Sequence, residues 1–293
     1  VVNDKGELIG ISTLTAREGQ NLNFAIPIDE VLEVKNQYLK KNNKGSEYFD
    51  KGIDAFDQGA YQQAVEYYTF FLIGSPQSNE AYKNRGLSKY LLDDFEGAIE
   101  DYNMALKINS SDPDIFMLRG HAKTELDDFN GALQDYNTAV ELDPEYEKIL
   151  FQSMGDLKSK LGDFLGAIEA YDRAIDYNPS DATLYYSRGI VKGEFHDYKS
   201  AIDDYNKAIE IKPNFNGAYC ERGNVKNILD DYVGAIEDCS KAIDINPDYP
   251  VPYYYRALAK MNLGDEDGAC IDLRKSIELG YISIEDLKNK LCD

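Results

Sequence analysis

The chain of 293 residues has no tryptophan, two histidines and four cysteines, and its 31 lysines and arginines face 53 aspartates and glutamates. Each shortage excludes something. A net charge of −22 argues against nucleic acid as a partner, because phosphate binding needs clustered Lys and Arg. No apolar run approaches the ~18 residues of a membrane-spanning helix, so membrane insertion is not expected. Cys220, Cys239, Cys270 and Cys292 show no CxxC spacing, and buried free thiols are expected rather than disulfides or a metal clip. His121 and His196 stand far apart. No HExxH, phosphate loop or GxSxG accompanies them. Asp265-Glu266-Asp267-Gly268 lacks the alternating acids and distal Glu of a calcium loop. No catalytic constellation, metal site or cofactor is expected.

What the chain has is aromatic residues, 23 Tyr and 12 Phe, too many for an acidic disordered chain, and a repeat. Gly52, Gly86, Gly120, Gly155, Gly189 and Gly223 recur at a period of about 34 residues, with Ala257 in seventh place. Ala64, Ala98, Ala132, Ala167, Ala201, Ala235 and Ala269 form a second column. Tyr68, Tyr102, Tyr136, Tyr171 and Tyr205 form a third, continued by Cys239 and Leu273. Pro76, Pro144, Pro179, Pro213 and Pro247 close most copies. Proline ends a helix because it cannot extend the hydrogen-bond ladder. Seven copies of a helix pair follow, at 45–78, 79–112, 113–147, 148–181, 182–215, 216–249 and 250–283. Stacked helix pairs bury one continuous core between neighbours.

Within a copy, small residues mark where its two helices approach closely. Tyr48, Tyr82, Phe116, Phe151, Tyr185, Tyr219 and Tyr253 fill the space between copies. Arg85, Arg119, Arg188, Arg222 and Arg256 occur in the copies that carry Asp101, Asp135, Asp204, Asp238 and Asp272. Copies one and four lack both, with Lys51 and Tyr67, and Met154 and Ala170. This co-occurrence predicts bidentate Arg–carboxylate bridges inside each copy. As half-exposed pairs they would be worth about 0–1 kcal/mol each.

With these columns the chain resembles a tetratricopeptide repeat array. The resemblance implies an all-α, right-handed superhelical solenoid of seven helix pairs, whose concave face is lined by first helices and holds a peptide or protein. The groove-facing candidates are then Phe49, Ile53, Lys83, Tyr90, Met117, His121, Gln152, Asp156, Tyr186, Ile190, Asn224, Tyr254 and Leu258. Some such arrays grip a terminal carboxylate through Lys and Asn pairs, but Phe49 and Ile53 stand at those positions here. Lys83 and Lys160 read as isolated among Asp50, Asp57, Glu80, Asp114, Glu125, Asp156, Glu194 and Glu221. The partner expected is a protein or peptide with basic and apolar side chains. Self-association through the end copies is a further expectation.

The ends differ from the repeats. Residues 1–28 read as a short β-hairpin remnant, 29–44 as a linking or capping helix, and 284–293 as a C-terminal capping helix. The run VVNDKGELIGI followed by NFAIPIDEV resembles the tail of bacterial trypsin-like serine proteases of the HtrA type. That resemblance implies catalytic residues upstream of Val1 and none within this chain. On it, the repeats would recruit substrates to, or assemble, a protease. Composition points to a soluble protein and leaves the compartment open.

Overall fold

A computed structural model of the protein describes residues 45–281, and every regular element among them is helical. The hairpin, the linking helix and the C-terminal cap expected at 1–28, 29–44 and 284–293 lie outside the described residues. The chain divides into two compact bodies after Asp127.

The first body comprises α1 (Gly45–Asp57), α2 (Tyr61–Gly74), α3 (Asn79–Tyr90), α4 (Phe95–Ile108) and α5 (Pro113–Glu125). Helices α1–α2 and α3–α4 pack as pairs, and α5 lies against α4. Pro113 opens α5 at its first turn, where the missing N–H is not needed.

The second body opens with α6 (Phe129–Leu142) and a 3-10 turn at Pro144–Tyr146. That turn absorbs the extra residue of the third copy. Four helix pairs follow: α7 (Glu147–Lys160) with α8 (Phe164–Tyr177), α9 (Ala182–Glu194) with α10 (Tyr198–Ile211), α11 (Asn216–Ile228) with α12 (Tyr232–Ile245), and α13 (Val251–Asn262) with α14 (Glu266–Glu278). Each second helix also packs on the first helix of the next pair.

The turn inside each pair is built the same way. One residue takes the left-handed conformation: Gly59, Asp93, Asp127, Gly162, His196, Asp230 or Gly264. In most copies an aspartate then caps the second helix, as Asp163 accepts from Gly166 N at 3.0 Å and Asp265 from Gly268 N at 3.0 Å. Such caps are worth about 1 kcal/mol each. They explain both the acidic pair that recurs in these turns and the Asp265–Gly268 segment, whose carboxylate binds its own helix. Among the described residues no group of side chains is arranged to hold a metal.

The glycine and tyrosine columns prove to be two sides of one contact. A Cβ on Gly189 would lie 2.7 Å from Tyr205 Cε1, and one on Gly86 would lie 2.8 Å from Tyr102 Cε1. Gly52 and Gly155 meet Tyr68 and Tyr171 in the same way, and Gly223 meets Cys239 Sγ. Where the glycine becomes Ala257, the facing residue is Leu273, and the two share one core cluster. Cys220 and Cys239 are buried free thiols, as expected. Cys270 corrects that expectation, because it is disulfide-bonded.

Candidate binding surface

Structural charge and free charge must be separated before any binding surface can be located. Asp101, Asp204, Asp238 and Asp272 are all buried, none more than 5% exposed. Each is gripped by the arginine of its own copy. In the last copy Arg256 Nε donates to Asp272 Oδ2 at 2.8 Å and Nη2 to Oδ1 at 2.6 Å. A lysine one turn on completes the site, with Lys260 Nζ 2.7 Å from Oδ2. Lys89, Lys192 and Lys226 play that part for Asp101, Asp204 and Asp238. Arg119 and Asp135 belong to different bodies.

One expectation needs correcting. The pairs are not half-exposed, since the carboxylates lie in the core, where removing one partner costs about 3–5 kcal/mol. Beyond the expected bridge, each arginine also reaches outside its own copy. The remaining guanidinium arm reaches the second helix of the preceding copy: Arg85 to Thr69 at 3.0 Å, Arg119 to Asn103 at 2.6 Å, Arg188 to Asp172, Arg222 to Asn206 at 2.5 Å and Arg256 to Ser240 at 2.9 Å. Each of these arginines also lies over the aromatic ring three residues before it, from Tyr82 to Tyr253, a cation–π contact. In copy four, where Met154 replaces the arginine, Arg173 of α8 covers Phe151 instead.

The candidate groove residues fall into three groups, with Ile53 outside them. Several are packing residues. Phe49 lies against Tyr68 and Phe71, Tyr186 against Tyr205 and Phe215, and Tyr254 against Tyr255 and Tyr281. Tyr90 packs edge-on against Phe95, and Leu258 is half-buried. Others are half-buried or already bonded. Met117, His121 and Gln152 are half-buried, and burial lowers the His121 pKa. Asp156 accepts a hydrogen bond from Tyr171 Oη. Lys83 is not isolated as expected, because it lies 3.6 Å from both Asp112 and Asp114. Lys160 stands over the Phe129 ring. Ile53 is exposed.

Ile190 and Asn224 form the third group, because they share a cavity of about 230 Å³ in the second body. Its floor is Tyr205 and Val225, both buried, with Ile190, Gly193, Tyr198 and Ile228 as walls. Glu194, exposed, and Glu221 and Asn224, both half-buried, complete the lining. Burial raises the Glu221 pKa, an effect partly offset by the hydrogen bond from Asn224. Among the described residues no lysine or arginine pairs with Glu194 or Glu221; Glu194 receives one hydroxyl contact, from Ser159 at 3.5 Å. From the sequence both acids stand near the expected groove, with nothing to join them in one cavity. The available signal was their spacing, one turn after Ile190 and three residues before Asn224.

A second concavity, in the first body, about 290 Å³ and more open, is lined by Ser46, Phe49, Asp50, Phe71, Ser78 and Glu80.

Family models described as tetratricopeptide repeats match residues 80–112, 113–146 and 182–215, and one described as a TPR repeat matches 155–194. These segments are tetratricopeptide repeats. The chain is similar to a tetratricopeptide repeat protein from Parabacteroides merdae, at 22% identity over 84% of this chain and 97% of the other, with a TM-score of 0.62. It is similar to the C-terminal part of a TPR repeat-containing protein from Cytophaga hutchinsonii, at 19% identity over 83% and 100%, with a TM-score of 0.69. It is also similar to YrrB, described as a TPR protein with an unusual peptide-binding site, at 21% identity over 69% and 100%, with a TM-score of 0.57. At these identities the likenesses establish the tetratricopeptide fold. No curated protein sequence matches the chain. Residues 1–28, which carry the protease resemblance, lie outside the described residues and outside the segments matched by the repeat models. No described helix is long and apolar enough to cross a membrane.

Proposed function

We propose that the chain is a non-enzymatic interaction scaffold that holds a segment of another protein against its first helices, and that this segment carries basic and apolar side chains. One observation carries the reading. The buried aspartates Asp101, Asp204, Asp238 and Asp272 are neutralised within the chain by Arg and Lys, whereas Glu194 and Glu221, on the first helices α9 and α11, pair with no cation among the described residues and line the same cavity as Ile190 and Val225. Charge left over on a concave apolar surface selects a partner of opposite sign and speeds its encounter. The likeness to YrrB, described as having a peptide-binding site, supports the same direction.

The test is a titration of the fluorescently labelled chain with a random-sequence peptide mixture at about 0.15 M salt, where exposed charges are screened beyond a Debye length of about 8 Å. The expected result is saturable binding that is stronger for a mixture enriched in Lys and Arg than for one enriched in Asp and Glu. Equal binding of both mixtures, or none, would contradict it.

A further inference from the structure

The cavity between α9 and α11 is too small for a drug-sized molecule, since such sites run from about 300 to 1,000 Å³, and its volume is about 230 Å³. It suits a single side chain. Its apolar lining is Tyr205 and Val225, both buried, with Ile190 and the exposed Ile228 beside them. The same lining carries two carboxylates, the exposed Glu194 and the half-buried Glu221, supplied by different copies. A long side chain with an aliphatic stem and a cationic head divides along the same line, stem on apolar wall and charge at the carboxylates. An aliphatic side chain would fill the apolar part and leave two carboxylates partly desolvated without a cation, which is costly. An acidic side chain would add a third negative charge. The neighbouring lysine and arginine of these copies cannot supply the cation. Lys192 and Arg188 are committed to Asp204, and Lys226 and Arg222 to Asp238.

We infer that this cavity is a socket for one lysine or arginine side chain of an extended partner segment, stem against Ile190 and Val225, head between Glu194 and Glu221. The inference rests on the scaffold reading and adds to it the position that reads the partner's charge.

The experiment uses the full chain with labelled Ile and Val methyl groups and follows them by NMR. The probes are the capped tripeptides Ala-Lys-Ala and Ala-Arg-Ala, and Ala-norleucine-Ala as a neutral isostere. The expected result is saturable shifts of the Ile190, Val225 and Ile228 methyls with the lysine or arginine peptide. Affinity should fall at least tenfold for norleucine, and by a similar factor in the Glu194→Gln/Glu221→Gln variant. The norleucine comparison needs no variant, so it decides the matter even if the double substitution fails to fold. Equal response to lysine and norleucine would overturn the inference. So would shifts that persist unchanged in the double variant, shifts confined to other methyls, or concentration-dependent shifts without peptide, which would mean that a second copy fills the socket. If the basic peptide mixture still binds saturably while the tripeptides fail, the socket is wrong and the scaffold reading stands.

Discussion

Arg256 holds Asp272 through two parallel hydrogen bonds of 2.8 and 2.6 Å while its third arm donates to Ser240 of the preceding copy at 2.9 Å. One side chain thus closes a helix pair and ties it to its neighbour. The carboxylate it neutralises is 2% exposed. Arg256→Met should therefore lower stability by about 3–5 kcal/mol, the cost of a buried charge left with an incomplete set of partners. The copy containing Met154 and Ala170, both buried, shows the apolar alternative. Arg256→Met/Asp272→Ala should accordingly recover most of the loss, read as the interaction energy of a double-mutant cycle in urea. Additive losses would mean that the two side chains do not act together.

The contact between Gly189 and Tyr205 makes the second prediction. A methyl group there would sit 2.7 Å from the ring, so Gly189→Ala should cost about 1–3 kcal/mol of stability through overpacking. This is opposite to the gain that Gly→Ala in a helix ordinarily brings. Adding Tyr205→Leu should relieve part of the strain, since Ala257 and Leu273 already form that combination. Thermal unfolding of the single and double variants checks it.

Glu221 gives the chain a pH-dependent weakness. Burial raises its folded pKa above the ordinary glutamate value, so between the two values the folded state binds more protons than the unfolded one. Stability from this group is then lost as pH rises through that window. Glu221→Gln should leave stability unchanged at pH 4 and raise it at pH 7. The difference between the two unfolding profiles isolates this residue from the other carboxylates.

Thiol chemistry separates the cysteines. Burial pushes the Cys239 thiol up to about 12, and the Cys220 thiol is raised for the same reason. In the native protein neither should react with iodoacetamide at pH 8, because the thiolate is the nucleophile. Both should label on unfolding without reductant, whereas Cys270 should label only after reduction. Peptide mass spectrometry distinguishes the three.

Much of the fold was legible because each repeat places the same chemistry at the same spacing. The glycine, tyrosine and Arg–Asp columns all run as identical or near-identical letters. The third arm of each arginine was hidden for the opposite reason. Its acceptors, Thr69, Asn103, Asp172, Asn206 and Ser240, each offer a side-chain oxygen but span four residue types, so a column read by identity does not show them. Burial depth was hidden as well. A spacing of sixteen residues pairs Arg85 with Asp101 without saying that the carboxylate lies in the core. The candidate groove positions could be named from the sequence, but not which of them packing already uses. Tyr186 is engaged by Phe215 at the far end of its own copy, and Lys83 by Asp112 and by Asp114 of the following copy, partners distant in sequence from the helix on which each stands.

The central claim is that Glu194 and Glu221 are charge held in reserve for a partner. Carbodiimide labelling of carboxylates, with and without a saturating lysine- and arginine-rich peptide mixture, tests it most directly. The account predicts that labelling of Glu194 and Glu221 falls while that of the exposed second-helix residues Glu169 and Glu237 stays constant. Equal protection of all four, or protection of Glu169 and Glu237 alone, would contradict it.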